Sequence, residues 1–320
     1  MRLKSGNLIK NISQIKSALK MSSSPNLIEV VKQCIPELNN QRHKGQAGRI
    51  GVVGGSLEYT GAPYFAAISA LKVGADLVHV FCPSDAAPVI KSYSPELIVH
   101  PLLNSPEAVS DITNWLTRLH VLIVGPGLGL NEKTFNVVTE IVKECRKLNL
   151  PLVIDADGLQ WAKQNSNILY DYKNVIMTPN AAEFKRVFAS DSVVFDTAKR
   201  LFGSEVVIML KGFNDIVYDM RMGSKIVVGT GGSGRRCGGQ GDLLSGAIST
   251  FFCWALQFIK ENNSNEDANL PAKAACAAAA TLIKSCNSEA FKEFGRSMTC
   301  SDMIKYIPKI FNRDFEKEST

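Results

Sequence analysis

Short apolar runs rich in β-branched residues recur along this chain, with segments between them whose apolar positions repeat at helical spacing. Ile50–Val53, Leu77–Phe81, Leu97–His100, Val121–Val124, Leu152–Ile154 and Val175–Met177 predict strands. Ala62–Val73, Pro106–Leu119 and Glu132–Leu148 predict amphipathic helices between them. Strands apolar on both faces and joined by helices predict an α/β fold, its parallel sheet covered on two sides. Val206–Leu210, Asp215–Tyr218 and Lys225–Val228 follow, linked tightly at Gly212–Asn214 and Arg221–Gly223, and read as a meander at one sheet edge. Apolar Leu243–Ile259 and alanine-dense Ala272–Lys284 predict two closely packed helices. No internal repeat or linker divides residues 41–320, so the expected organisation is an extension at 1–30 and one α/β domain at 31–320.

Ligands of open parallel sheets sit beyond the carboxyl ends of the strands. That edge collects Gly54-Gly55-Ser56, Gly125-Pro126-Gly127-Leu128-Gly129, Asp155-Ala156-Asp157-Gly158, Thr178-Pro179-Asn180 and Lys211-Gly212. The Gly125–Gly129 glycines would let a ligand lie against the main chain, or would form only a tight turn. Asp155 and Asp157 either share Mg²⁺ or leave Asp157 to cap a helix. Asn180 and Glu183, three residues apart, read either as a capping box or as groups orienting hydrated Mg²⁺. No complete dinucleotide fingerprint and no Walker A motif occurs.

The strongest chemical signal is Gly231–Gly246, G-G-S-G-R-R-C-G-G-Q-G-D-L-L-S-G, where six glycines precede Asp242 and an apolar run follows it. Glycines let main-chain N–H groups crowd a bound anion, and a helix starting there directs its positive end at the same place. A carboxylate in such an anion hole is unfavourable unless it has a task. Taking a proton from a hydroxyl that attacks a phosphoryl group is that task. Arg235 and Arg236 add positive charge where a triphosphate would rest.

The net charge of +6 does not signal nucleic-acid binding, because Arg2, Lys4, Lys10, Lys16 and Lys20 supply five of those charges in an acid-free stretch. That stretch has the composition of a mitochondrial transit segment; a disordered extension fits equally, and Met21 could serve as a second start leaving a cytosolic product. No run approaches the length of a membrane span. The eight cysteines show no C-x-x-C spacing, which argues against zinc; Cys237, inside the glycine loop, is a candidate for oxidation. His79 and His100 fall in strand-like runs and read as structural.

Together these residues resemble the ribokinase-like superfamily, and most of all its ATP-dependent NAD(P)H-hydrate dehydratases in the eukaryotic form. The stretches that carry the resemblance are H-K-G-Q-A-G-R-I-G-V-V-G-G-S (43–56), residues 58–77 and 87–101, V-G-P-G-L-G (124–129), V-I-D-A-D-G-L (153–159), T-P-N-A-A-E-F (178–184) and R-R-C-G-G-Q-G-D-L-L-S-G (235–246). The resemblance implies a three-layer α/β/α fold whose central sheet is mostly parallel with antiparallel edge strands. It implies ATP-dependent return of the (6S) hydrates of NADH and NADPH (NADHX and NADPHX) to NADH and NADPH, releasing ADP and phosphate. ATP would be co-substrate and Mg²⁺ cofactor, with an NAD(P)H-hydrate epimerase as functional companion, no nucleic-acid or membrane partner, a cytoplasmic or mitochondrial location, and a homo-oligomeric state left open.

Carried over residue by residue, Asp242 would be the catalytic base and touch the hydrate. Gly232, Ser233, Gly234, Arg235, Arg236, Cys237, Gly238, Gly239, Gln240 and Gly241 would wrap ATP, with Lys211, Gly212, Phe213, Asn214 and Asp215 lining the nucleotide site. Gly127, Asn180, Ala181, Ala182, Glu183, Phe184, Lys185 and Arg186 would hold the hydrate, Glu183 reaching Mg²⁺ through water, and Gly61 and Ala62 would touch it. Gln240 stands where the wider kinase pattern has a small residue or Thr, which favours a dehydratase over a hydroxymethylpyrimidine or hydroxyethylthiazole kinase. A catalytically silent nucleotide-binding protein is the remaining alternative.

Overall fold

A computed structural model describes residues 26–189, 195–262 and 267–316. The chain begins α1 (Leu27–Cys34), β1 (Arg49–Val53), α2 (Gly61–Val73), β2 (Leu77–Phe81), α3 (Ala87–Tyr93), β3 (Ile98–His100) and α4 (Ala108–Leu116). It continues through β4 (Val121–Val124), α5 (Glu132–Leu148), β5 (Leu152–Ile154), α6 (Asp157–Gln164), α7 (Ser166–Leu169) and β6 (Val175–Met177). Next come α8 (Ala181–Phe188), α9 (Phe195–Phe202), β7 (Val206–Leu210), β8 (Asp215–Asp219) and β9 (Ser224–Gly229). Long helices α10 (Gln240–Asn262) and α11 (Leu270–Phe294) precede α12 (Cys300–Ile304) and α13 (Ile307–Asp314). All nine strands match their expected positions to within one residue.

The strands form one sheet in the order β3-β2-β1-β4-β5-β6-β7-β8-β9. Pairing is parallel from β3 to β7, and antiparallel from β7 to β8 and β8 to β9. Alternation along each strand divides the core in two. Val121 and Ile123 face α1, α2, α10 and α11, whereas Leu122 and Val124 face the layer of α4, α5, α6, α8 and α9. The result is the three-layer arrangement with antiparallel edge strands.

Helix ends depart from the expected bounds where local chemistry decides them. α5 holds to its reading, because the Asn131 carboxamide accepts from Lys133 N and Thr134 N, and Asn149 stops it at φ 52°. α10 starts at Gln240 rather than Leu243, so Asp242 lies within its first turn. α1 begins inside the span assigned to the extension, with Leu27, Val31 and Cys34 buried in the core, while residues 1–25 lie outside the described residues. His79 and His100 are structural: their Nδ1 and Nε2 atoms lie 3.0 Å apart, and the rings pack on Trp115.

By length and composition α10 could cross a membrane, yet 72% of its most apolar window is buried within the fold. Its apolarity on all sides follows from its place between α2 and α11. Ser69 Oγ donates to Leu243 O at 2.6 Å and Thr250 Oγ1 to Ala70 O at 3.0 Å, fixing α2 against α10. Gly246 allows that approach, since a Cβ there would lie 2.1 Å from Ala66 O. Gly246→Ala gains about 1 kcal/mol of helix propensity, but forcing the helices apart costs about 1–3 kcal/mol. Urea unfolding of Gly246→Ala is expected to show a net loss of stability; a midpoint at or above that of the natural chain would refute the close-approach account.

Candidate active site

Because β1 and β4 to β7 run parallel, their carboxyl ends meet at one edge. The switch in strand order falls between β1 and β4, where a crevice is expected. Here main chain fills it: Gly55 N donates to Pro126 O at 2.9 Å, and a Cβ on Gly54 would sit 2.2 Å from the same oxygen. The open space lies instead beyond β5, β6 and β7. A cavity of about 440 Å³ is lined there by Asp155, Asn180, Glu183, Lys211 and Asp242, among others.

Three loops and a helix start bring these groups together. Asp155 follows β5, and Lys211 follows β7, its N–H bonded to Pro179 O at 2.8 Å beyond the end of β6. Lys211 Nζ donates to Asp155 Oδ1 at 2.6 Å and lies 3.6 Å from Glu183 Oε2. Gly241 packs against the same ammonium, 3.2 Å separating Nζ from the place a Cβ would occupy. Burial works against the Lys211 charge, but Asp155, Glu183 and Asp242 more than offset it and hold the ammonium above its usual pKa. Burial and then the Asp155 carboxylate push Asp242 up to about 8, with Lys211 opposing and Glu183 and Asp157 adding to the rise. Asp242 is thus a carboxylate of unusually high proton affinity.

The first turn of α10 completes the site. Leu243 N makes the first helical bond, to Gly239 O at 2.9 Å. Among the described residues the amides of Gln240, Gly241 and Asp242 meet no protein acceptor, as expected at a helix start without a cap. Gly239 turns the chain into the helix at φ 93°, where a Cβ would strike the Phe65 ring at 2.6 Å. Gln240 Nε2 donates to Arg235 O and to Cys237 Sγ, each at 3.2 Å, and so ties the glycine loop across itself.

The expected nucleotide residues divide. Lys211, Gly212, Phe213, Asp215, Gly232, Arg236, Cys237, Gln240 and Gly241 line the cavity beside Asp242, the expected base; Asn214, Ser233, Gly234, Arg235, Gly238 and Gly239 do not. Arg235 Nε donates to Met298 O and its Nη1 to Arg236 O, at 3.2 Å each. Cys237 faces Cys300 with sulfurs 4.0 Å apart, both as free thiols.

Of the expected hydrate residues, Asn180 and Glu183 line this cavity, and Glu183 and Arg186 border a second one of about 660 Å³ that shares Ala156. Asn180 and Glu183 do form a capping box, with bonds of 2.9 and 2.8 Å. Phe184 is buried in the core beneath α8, while Ala181, Ala182 and Lys185 are exposed on the helix and line neither cavity. Gly127, at φ 62°, is packed against Tyr59 and Ala62 rather than facing open space. Asp155 and Asp157 take separate partners within the protein: Asp155 Oδ1 accepts from Lys211, whereas Asp157 Oδ2 accepts from Gly129 N at 2.9 Å. Among the described residues no group of three His, Cys, Asp or Glu could hold a metal ion.

Sequence reading missed the α11 face of the cavity, formed by Ala280, Ile283, Lys284 and Asn287. The available signal was a lysine and an asparagine interrupting an alanine-rich helix on one side.

The three layers and the sheet order define a ribokinase-like architecture, matched at TM-score 0.70 by a ribokinase-like superfamily protein from Enterococcus faecalis, 20% identical over 90% of this chain and 95% of that one. The ADP/ATP-dependent NAD(P)H-hydrate dehydratase of Bacillus subtilis, co-crystallised with ATP/Mg²⁺, superposes at TM-score 0.63, with 22% identity over 90% of this chain and 97% of that one. The family model described as NAD(P)H-hydrate dehydratase matches residues 50–309. An ATP-dependent (S)-NAD(P)H-hydrate dehydratase from Aedes aegypti is 54% identical over 306 residues, 95% of this chain and 90% of that protein. The chain belongs to the NAD(P)H-hydrate dehydratase family.

The raised pKa of Asp242 has a consequence for stability. Below about pH 4 the group is protonated folded or unfolded and contributes nothing. As pH rises toward 8 the unfolded chain ionises while the folded site resists, so stability falls, and above 8 the full penalty is present. Asp242→Asn removes that penalty. Its melting temperature is expected to exceed that of the natural chain by several degrees near pH 8, the gap closing toward pH 4. Equal melting temperatures across that range would sink the assignment of a destabilised carboxylate.

Proposed function

We propose that this protein is an ATP-dependent NAD(P)H-hydrate dehydratase, and that Asp242 is its base. The observation that carries the reading is one carboxylate of high proton affinity set within a turn of unpartnered amides, on the wall of a cavity large enough for a nucleotide.

The hydroxyl on the reduced nicotinamide ring attacks the γ-phosphorus of ATP, and Asp242 removes its proton as the oxygen–phosphorus bond forms. The bond to the β-phosphate oxygen breaks and ADP leaves. Amides of Gln240, Gly241 and Asp242, with Lys211 beside Gly241, meet the charge on the transferring group. Hydroxide is a poor leaving group and phosphate a good one. The ring nitrogen's lone pair then expels the phosphate, and loss of a proton from the adjacent ring carbon restores the double bond.

Mg²⁺ bound with the nucleotide would neutralise phosphate charge. The carboxylates present suit it only through water, because Asp155 is engaged by Lys211 and Glu183 by the capping box. That Glu183 lines both cavities supports a role for it in orienting such waters and the hydrate together. A chiral site accepts one hydrate epimer, so an epimerase would supply the (6S) form from its mirror centre. The acid-free basic stretch at the start of the sequence supports mitochondrial import, with a cytosolic form from Met21.

Hydrate supplied with ATP and Mg²⁺ should regain the reduced-nicotinamide absorbance while releasing phosphate one for one. A small-molecule kinase on this fold would instead leave a stable phosphate ester, and a silent binder would consume no ATP. Asp242→Asn is expected to lower turnover by about 10²–10⁴-fold with the fold intact. In the natural enzyme kcat/KM should fall as pH drops below about 8, because the proton-free carboxylate is the active form. A flat profile between pH 6 and 8, or near-normal turnover by the Asn variant, would remove Asp242 from the role of base.

A further inference from the structure

Two separate loops border the cavity, and both are tied to one helix. The link between β7 and β8 carries Gly212 and Phe213; the link between β9 and α10 carries Gly232 and Ser233. Lys284 Nζ, on α11, donates to Gly212 O at 2.8 Å and to Phe213 O at 2.6 Å, and lies 3.3 Å from Asp215 Oδ2. Asp215 Oδ1 in turn accepts from Gly212 N at 2.8 Å, so the loop is held through both its carbonyls and its amide. Asn287, less than one turn further along α11 and buried, accepts from Ser233 N at 2.5 Å. Because α11 is one rigid element, the separation of its two side chains sets the separation of the two loops.

The helix is itself anchored to the sheet. Near its start, Lys273 Nζ meets Asp219 Oδ2 at 2.8 Å, at the end of β8, and Asn269 Nδ2 donates to Asp219 Oδ1 at 2.8 Å. Further on, a Cβ at Gly229 would lie 2.8 Å from that of Ala280, so helix and β9 are in direct contact. Phe213, 65% exposed, stands at the cavity mouth on the clamped loop. An ammonium has three donors; two of them go to Gly212 O and Phe213 O, and the Asp215 carboxylate lies beside the same group as an ion pair. Lys284 is therefore directed at the Phe213 loop, although it lines the cavity.

We infer that Lys284 and Asn287 are positioning residues that make α11 a strut fixing the span of the nucleotide cleft, with Lys284 holding the Phe213 loop against the base and ribose end of ATP rather than binding phosphate. The inference rests on reading this cavity as the ATP site.

Calorimetric titration of ATP and ADP, each with Mg²⁺, and steady-state kinetics on the full chain test it. Lys284→Met should raise the ATP KM about tenfold or more, as misplacing a binding group does, while the hydrate KM stays within about twofold. ATP and ADP affinities should fall by the same factor, since the group lost touches neither terminal phosphate. Lys284→Arg, which keeps donors for both carbonyls and the carboxylate, should recover most of the affinity, and Asn287→Leu should repeat the ATP-selective loss. Loss that is larger for ATP than for ADP would make Lys284 a phosphate ligand and overturn the inference. Unchanged nucleotide affinity, or equal weakening of ATP and hydrate, would overturn it as well. If Lys284→Met does not fold, the Arg and Leu variants carry the same comparison. Failure of the natural chain itself to bind ATP would sink the site assignment instead, so the two failures are distinguishable.

Discussion

One ammonium group organises the rim. Lys211 Nζ reaches Asp155 after β5, Glu183 in α8 and the first turn of α10, so three other stretches of chain converge on a single cation. Such a pair contributes little net stability, because desolvating both charges offsets their attraction; removing either partner, however, strands a buried charge at a cost of about 3–5 kcal/mol. The cluster therefore specifies arrangement more than it adds stability. It fixes where β5, β6 and β7 end relative to α10, and that relation is the active site.

The antiparallel edge returns the chain to the rim before α10 begins. Here β8 runs back, β9 returns, and the glycine loop delivers α10 with its amino end at the carboxyl ends of β5 to β7. The helix then passes through the core between α2 and α11, where Leu243, Ile248, Phe251 and Phe252 are buried, each fully buried side chain contributing about 1.5–3 kcal/mol. A helix held so firmly at its body presents a first turn with little freedom to reorganise, which is what preorganised electrostatic catalysis requires.

Much of this was legible in the sequence, and the gaps have physical reasons. Strands such as Val121–Val124 read correctly because burial on both faces leaves a continuous apolar run. Asp242 was legible because six glycines before an apolar helix leave few structural explanations. The partnership of Lys211 with Asp155 was not, since 56 positions separate them and no local pattern encodes which carboxylate a lysine finds. The bond from Arg235 to Met298 O was not legible either, since 63 positions separate the two. α11 read as a packing helix, and so it is, but its alanine pattern hid the face on which Lys284 and Asn287 meet the two loops.

The charge balance at the start of α10 shows what the surrounding carboxylates do. Three unpartnered amides and the positive end of a helix favour an ionised acid, by about 0.3–1 kcal/mol in exposed settings and about 2 kcal/mol at most. That corresponds to less than about 1.5 pKa units downward. Asp242 nevertheless moves the other way, from 3.8 to about 8. Burial, together with Asp155 and Glu183, outweighs both the helix and Lys211. The same amides thus remain available to a phosphoryl group while the acid among them stays basic enough to take a proton from an alcohol. Burial raises the acid most, and the neighbouring carboxylates add to that rise, so the helix start can bind an anion while Asp242 keeps its affinity for a proton.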